Sequence, residues 1–590
     1  MCGIAGIVMR DGSAPDTAVL DTLQAALRHR GPDGEGRHVD GDTAVLQTRL
    51  AIIDLENGDQ PLYAQGPGGG QVALVANGEI YNNPELRQQL NYVTFQTGSD
   101  CEPPLHLYLR DGVTFAAQLR GMYAIAIHDP QTDRLILSRD PFGIKPLYYL
   151  ESDRLFAFAS EPQALIKAGL IAPELEPAAA TELLQLQFTT GAHTPFQGIQ
   201  RVLPGETLVV RAGRIIERHR LSALPAASHT GMTEALALSE LDASLNDTVS
   251  MHQRSDVPYG MFLSGGVDSS VLIAMMNRLN EKPVQAFTIG FGNKTKVPDE
   301  RQHAKAVAKA AKAEHTEIFF SEKDFWSLLP RVAAALDDPV ADYATVPTFK
   351  LAQAVKKAGL KVILSGEGGD EMFAGYGRYR RAVRPWLLGG RRMRRQGMLS
   401  GLGLLRDETP AWRDGIRSAE SMLPGGLSSL QQAQALDCAD WLPNDLLTKV
   451  DRCLMAHGIE GRVPFLDRAF AGFAYPLPDR LKVHGRQGKW LLRKWLQSGL
   501  PESQPFTKKR GFTVPVGQWL AAEGKRLGPL VAGQAGIAQL CRSESTAALF
   551  RATGKREAQA QWVLLFYALW HQHHMLGKPA RGNAFDMLAA

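Results

Sequence analysis

Cysteine is scarce in this chain of 590 residues: there are five, Cys2, Cys101, Cys438, Cys453 and Cys541. They are widely spread, with no CxxC pair and no Cys/His cluster at zinc-ligand spacing, which argues against both a zinc finger and a disulfide framework. That usage fits a reducing cytoplasm. No stretch nears the ~20 uninterrupted apolar residues of a membrane span. No basic region leads into an apolar run at the start, so no signal peptide is expected. Excess charge of one sign is also missing. Lys and Arg number 65 against 61 Asp and Glu, and a net charge of +4 is too weak to argue for nucleic acid. What remains is an ordinary globular composition, 44 % apolar and 21 % charged. The chain is too long for one core, so two or three domains are expected.

The most informative residue by position is Cys2. Removal of Met1 would leave it with a thiol and a free α-amino group on one carbon. That amine titrates at about 7.7–8.0 and can serve as the base that activates the thiol. The run 4–9 reads as a buried strand holding this nucleophile. Residues 17–28 have helical spacing and end in the turn cluster His29-Arg30-Gly31-Pro32-Asp33-Gly34. Apolar runs at 43–53, 71–76, 122–128 and 134–138, with turns between them, suggest a largely antiparallel layered sheet. Three polar positions stand out. Arg49 offers a guanidinium fork to a carboxylate. Asn77 and Gly78, after an apolar strand, supply a side-chain amide and a close backbone N–H as oxyanion donors. Asp100 can pair with an amino group. Singly, these also read as an exposed arginine, a hairpin turn and a helix cap; together they compose a glutamine site.

Met1-Cys2-Gly3-Ile4, Arg28-His29-Arg30-Gly31-Pro32-Asp33, Ala76-Asn77-Gly78-Glu79-Ile80-Tyr81-Asn82 and Gly98-Ser99-Asp100 resemble the class II glutamine amidotransferases. The resemblance implies an αββα N-terminal-nucleophile hydrolase sandwich. It implies Cys2 as nucleophile, Asn77 and Gly78 as oxyanion hole, and Arg49, Asn77, Glu79 and Asp100 around glutamine. Pro103-Pro104 departs from the pattern and implies that the helix expected there starts late. The segments 139–149 and 160–161 share the resemblance without a chemical role. A small, polar, proline-containing stretch at 223–231 marks the expected boundary, giving domains 1–222 and 223–590.

In the second half, a helix is expected over 233–253 and a strand over 258–263. Ser264-Gly265-Gly266-Val267-Asp268-Ser269-Ser270 follows, then a helical run from Val271. Strand, glycine loop and helix aim backbone N–H groups and a helix N-terminus at phosphate. No GK[ST] ends the loop, so it is not a Walker A motif. The loop serines add donors, and Asp268 can hold Mg²⁺. The loop resembles the pyrophosphate loop of ATP pyrophosphatases. Strands at 285–291 and 315–320, a helix at 301–313 and the strand 361–364 give βαβα alternation, hence a doubly wound parallel sheet with a helical tail. Ser365-Gly366-Glu367-Gly368-Gly369-Asp370-Glu371 ends the last of these strands.

That signature, with the segments 446–452 and 460–467, resembles the glutamine-dependent asparagine synthetases over nearly the whole chain. The resemblance implies ATP bound by Leu263, Ser264, Gly265, Gly266, Asp268, Ser269, Ser270, Ile289, Ser365 and Gly366. It implies Mg²⁺–pyrophosphate on Asp268 and Asp370, Glu367 as base for incoming ammonia, and Lys509 neutralising phosphate charge. Glutamine, ATP and aspartate are the expected small-molecule substrates of a cytoplasmic ligase, with a shielded path for ammonia between the domains; a homodimer is one state the sequence leaves open. The acceptor is the weakest point, because the segment 337–347 has no arginine for a second carboxylate. The alternatives are another carboxylate, on a peptide or a sugar uronate, a non-catalytic regulatory homologue, and a cyclising synthetase, against which Cys2 and Arg49 count. The stretch 372–406 carries nine arginines and no lysine or acid. It reads as a solvated, mobile surface segment, with an anion platform as the rival reading.

Overall fold

The computed structural model describes residues 2–226, 231–291, 301–384, 393–507 and 514–590. The first half contributes twelve strands to two six-stranded sheets. β1 (Gly3–Met9), β2 (Gly34–Asp40), β3 (Thr43–Arg49), β4 (Leu62–Gln65), β5 (Gln71–Ile80), β6 (Gly121–Asp129) and β7 (Arg134–Arg139) come first. β8 (Tyr148–Glu151), β9 (Leu155–Ala159), β10 (Ile199–Arg201), β11 (Glu206–Arg211) and β12 (Arg214–Arg220) follow. The orders are β10-β8-β9-β1-β3-β2 and β12-β11-β7-β6-β5-β4.

Period-two alternation decides which side chains go where. On β1, Ile4 and Val8 face the other sheet and pack with Val75, Ala124, Ala126 and Leu137. Ala5 and Ile7 point outward beneath the helices 17–27 and 162–167. Leu74, Ala76, Ile125 and Ile127 line the outer face of the second sheet under the helix Glu102–Asp111. The result is helix, sheet, sheet, helix. That last helix corrects one expectation: it starts at Glu102 with both prolines in its first turn, where the missing N–H groups have no intrahelical partner to lose.

The second half holds a five-stranded parallel sheet, β15-β14-β13-β16-β17. Its strands are β13 (Tyr259–Phe262), β14 (Gln285–Gly290), β15 (Glu314–Phe319), β16 (Val362–Leu364) and β17 (Glu460–Arg462). Strand order reverses between β13 and β16, and ligands of open α/β sheets bind in the crevice beyond the strand ends at such a point. β13 ends at the Ser264 loop and β16 at Ser365-Gly366-Glu367. The C-terminal helices Val516–Ala532 and Lys555–His574 bury Trp519, Trp562 and Trp570 in a core shared with the segment beside the crevice. Trp562 and Trp570 donate through their indole N–H to the carbonyls of Ala341 and Asp337, at 2.7 and 3.0 Å.

Among the described residues no helix is long and apolar enough to cross a membrane. All five cysteines are buried and unpaired. The arginine-rich stretch is not uniformly solvated. Arg378 lies 3.8 Å from the centre of the Trp441 ring and 2.7 Å from Asp437. Arg394 sits over Phe188 and Trp441, 3.7 Å from Asp437. These two guanidiniums are anchored by aromatic faces and a buried carboxylate supplied from another part of the chain. Trp386, Arg391 and Arg392 lie outside the described residues.

Candidate active sites

The first site is built around Cys2, which is buried. Three backbone N–H groups fix the strand that carries it. Those of Cys2, Gly3 and Ile4 donate to Asn77 Oδ1, Thr48 Oγ1 and Ser160 Oγ at 2.9, 3.2 and 3.0 Å. The carbonyl of Cys2 accepts from Arg30 Nε at 3.1 Å. Asn77 spends its oxygen on Cys2, while its Nδ2 is buried with no hydrogen-bond partner among the described residues. A buried amide donor left unspent beside a thiol suits a charge that forms only during reaction. Gly78 is required for packing: a Cβ there would lie 2.0 Å from the carbonyl oxygen of Met122 on β6.

Antiparallel register sets Gly3 opposite Thr48, so Arg49 ends beside Cys2. Its guanidinium donates to the carbonyls of Ile53, Asp54 and Leu55 and pairs with Asp59 at 2.8 Å, which shapes the loop over the thiol. Burial pushes the Cys2 thiol up, and Arg49 is among the groups pulling it down. Such a thiol needs a base within reach.

Asp100 and Glu79 form the acidic wall. Asp100 accepts from the N–H of Ile80 at 2.6 Å. Glu79 lies 3.2 Å from Arg462, which also holds Glu460 at 2.6 Å. Arg462 and Glu460 come from β17, so the edge strand of the second domain's sheet closes the pocket of the first. Burial and then the Glu460 charge raise the Glu79 carboxyl well above its usual range. Burial pushes Asp100 up to about 6. Although burial works the other way, neighbouring cations including Arg462 hold Glu460 down at about 2. Three carboxylates around one guanidinium leave room for a ligand ammonium. If Asp100 is the partner of such an ammonium, as the sequence resemblance implies, only its carboxylate form can pair with it, and KM for glutamine then rises as pH falls through about 6. Asp100→Asn should raise KM at neutral pH and flatten that profile. A wild-type KM constant from pH 5 to pH 7.5 would refute the role.

The second site is a cavity of about 510 Å³ in the crevice beyond β13 and β16. The Ser264–Ser270 loop turns at Gly265, whose φ of 72° and contact with His303, 2.9 Å from a would-be Cβ, demand glycine. Ser264 Oγ accepts from the N–H of Gly266 at 3.2 Å and meets Ser269 Oγ at 3.2 Å. The 13-residue helix Val267–Leu279 points its N-terminus into the cavity. Leu263, Ser264, Gly265, Gly266, Asp268, Ser269, Ile289, Ser365, Gly366, Glu367 and Asp370 all line it. Ser270 does not; its hydroxyl is buried behind the loop. Lys509 lies outside the described residues.

Asp268 and Asp370 converge on one ammonium, that of Lys489: Asp370 stands 2.7 Å from Nζ and Asp268 is in direct contact. Two carboxylates sharing one cation among loop hydroxyls form the oxygen-only donor set that a hard divalent cation takes. Burial raises the Glu367 carboxyl, with Lys449 opposing and Asp342 reinforcing the shift. Lys449 pairs with Asp342 at 2.7 Å, and both line the cavity with Tyr343, Trp441 and Asp445. Lys489, with a positive φ of 58°, had no signal in the sequence, and Lys449 stood there only as part of the 446–452 signature, its pairing with Asp342 unread, because the partners of both are more than a hundred residues away.

Motifs that carried no role in the sequence turn out to join the halves. Arg30, fully buried, pairs with Asp451 through two hydrogen bonds of 2.8 and 2.9 Å and with Glu161 at 2.7 Å. Arg452 spans Asp451 and Asp337 at 2.9 and 2.7 Å. Arg201 holds Asp338 at 2.6 Å, and Lys361 holds Asp33 at 2.8 Å. The 139–149 segment is a self-bracing loop. Asp140 accepts from the N–H groups of Phe142, Ile144 and Lys145, while Arg139 donates to three carbonyls.

Comparison with known proteins agrees with this division of labour. Residues 1–220 match the glutamine amidotransferase domain and residues 240–572 the asparagine synthase family. Asparagine synthetase [glutamine-hydrolyzing] 1 of Bacillus subtilis is 32 % identical over 569 residues, covering 89 % of this chain and 88 % of its own. Asparagine synthetase B [glutamine-hydrolyzing] of Escherichia coli is 29 % identical, with 88 % and 83 % covered. The asparagine synthetase [glutamine-hydrolyzing] of Zea mays is 28 % identical, with 88 % and 79 % covered. With a thiol site at the start of an interior sandwich strand and a crevice beyond the ends of a parallel sheet, this chain belongs to the asparagine synthase family.

Proposed function

We propose that the chain is a glutamine-hydrolysing asparagine synthase whose glutaminase half, 1–222, feeds ammonia to the synthetase half, 223–590. Cys2, deprotonated by its own α-amine once Met1 is removed, attacks the side-chain amide of glutamine. Asn77 Nδ2 and the Gly78 N–H carry the oxyanion, Arg49 takes the substrate carboxylate, and Asp100 with Glu79 takes its ammonium. Ammonia leaves, and water frees glutamate from the thioester. In the crevice the acceptor carboxylate attacks the α-phosphorus of ATP, releasing pyrophosphate into the Ser264–Ser270 loop. Asp268 and Asp370 would hold Mg²⁺, which when bound neutralises that leaving group. Ammonia then attacks the acyl-adenylate, Glu367 takes the surplus proton, and AMP departs. Lys509 fits the role of a further phosphate cation on sequence grounds alone. The observation carrying this reading is β17. Its Glu460 and Arg462 wall the Cys2 pocket, while the adjoining strand β16 leads into the loop that carries Glu367, an arrangement that supports a shielded route for ammonia between the two. Five unpaired thiols support a cytoplasmic setting; a homodimer is compatible with one chain holding both sites.

Aspartate is the leading acceptor. Lys449 stands where an arginine is missing from 337–347 and can take a second carboxylate, with Asp342 and Asp445 facing the amine. One observation favours a larger acidic acceptor. Arg380, Arg384 and Arg486 line a surface groove of about 480 Å³, and none of the three has an ion pair or side-chain hydrogen bond among the described residues. The groove lies within electrostatic reach of the crevice, since the Arg380 charge acts on Arg493 in its wall. Pyrophosphate release and mass spectrometry of the product with aspartate, an acidic peptide and a uronate separate the two readings. If aspartate is preferred, R380Q/R384Q/R486Q leaves its KM unchanged. If the peptide is preferred, its KM rises about tenfold or more in that variant, as expected when three charged contacts are lost. No AMP with any acceptor would refute both.

A further inference from the structure

His38 and Asp40 stand two residues apart on β2, so the alternation of a strand puts both on one face. β2 is an edge strand of the first sheet. From the second sheet, His128 on β6 reaches across to it, and His38 Nε2 lies 3.3 Å from His128 Nδ1. One ligand atom from each of His38, Asp40 and His128 lies within 4.8 Å of the others. A contact of 3.3 Å is long for a hydrogen bond. It is also the edge expected between two nitrogens each about 2.0–2.1 Å from the centre of a tetrahedron, which comes to roughly 3.3–3.4 Å. The Tyr63 ring meets His38 edge-on at 5.6 Å and fixes its plane. Asp42 and Asp129 stand near enough for their charges to act on His128, which surrounds the trio with negative potential.

We propose that His38, Asp40 and His128 bind a zinc-type divalent ion that clips the two sheets of the sandwich together. Two imidazoles and one carboxylate select a borderline transition metal over Mg²⁺ or Ca²⁺, and the exposed Asp40 leaves the fourth position to water. The site is separate from both reactions. In the β5–β6 register His128 pairs with Ala73 and Ala124 with Asn77, so the trio is four residues, about 13 Å of strand, from the oxyanion donor. Its ligands are 90 residues apart, which is why no short metal motif announces it.

The full-length protein, stripped with chelator, is titrated with Zn²⁺ by calorimetry, and Mg²⁺ serves as control. One equivalent should bind, raising the unfolding temperature where Mg²⁺ does not. Glutaminase activity without added zinc should match in H38Q, H128Q and D40N. Each substitution should weaken that equivalent by at least about tenfold. Asp40 is exposed, so D40N keeps the test valid if a histidine variant fails to fold. Binding retained at full affinity in the variants, or none at all in the wild type at 100-fold the protein concentration, would overturn the site.

Discussion

Cys2→Ala is expected to abolish glutamate formation from glutamine, by at least about 10³-fold, while acceptor-dependent pyrophosphate release driven by ammonium salts survives. The loss is large because no other group can stand in. Cys101, the other cysteine of that pocket, is buried, and desolvation followed by the Asp100 charge pushes its thiol well up. It therefore stays protonated and unreactive. Ammonia-driven turnover survives because Glu367, Asp268 and Asp370 are positioned by β13, β16 and Lys489, none of which Cys2 supports. Cys2→Ser separates chemistry from packing: it should fold and retain the Asn77 contact, yet hydrolyse glutamine far more slowly. Glutamate release persisting in Cys2→Ala would place the nucleophile elsewhere.

The second large effect is expected at Asp451. Its carboxylate meets Arg30 from the amidotransferase half and Arg452 from its own helix, with side-chain exposures of 0, 3 and 1 % for Arg30, Asp451 and Arg452. Breaking a buried pair leaves a desolvated charge, which typically costs about 3–5 kcal/mol. Asp451→Asn should fall at the lower end of that range, because Arg30 keeps Glu161 and Arg452 keeps Asp337. Its denaturation midpoint should drop, and more glutamate should form per pyrophosphate as the halves loosen. Replacing Arg30 and Asp451 together by apolar residues should cost less than the sum of the single changes. An unchanged midpoint with unchanged stoichiometry would show that the contact joins nothing.

Local signals were legible and remote pairings were not. The Ser264 loop announces itself because strand, glycine turn and helix are contiguous, and four of the five parallel strands are legible within a few residues of their observed ends, whereas the three-residue β17 reads only as a motif, not as a strand. In the sandwich, β1, β3, β5, β6 and β7 are readable from their apolar runs, whereas the short or half-exposed strands β2, β4 and β10 give no such run. The motif around Arg30 was visible as a pattern, yet its purpose rests on a partner 421 residues away, which no period reveals. The arginine-rich stretch departs from a wholly solvated segment for the same reason: the carboxylate that holds Arg378 and Arg394 is the remote Asp437, and Trp441 and Phe188 supply aromatic faces from outside the stretch. The proline pair misled because the first helical turn tolerates what its interior does not.

The position of β17 limits how this architecture can be taken apart. A fragment ending near residue 222 would carry Glu79 without Arg462, an acid on an opened pocket wall that has lost its counter-cation. Exchanging the amidotransferase half between relatives therefore requires that the borrowed piece and the strand it leans on be matched as a pair. Inheritance of the two activities is bound together by a three-residue strand.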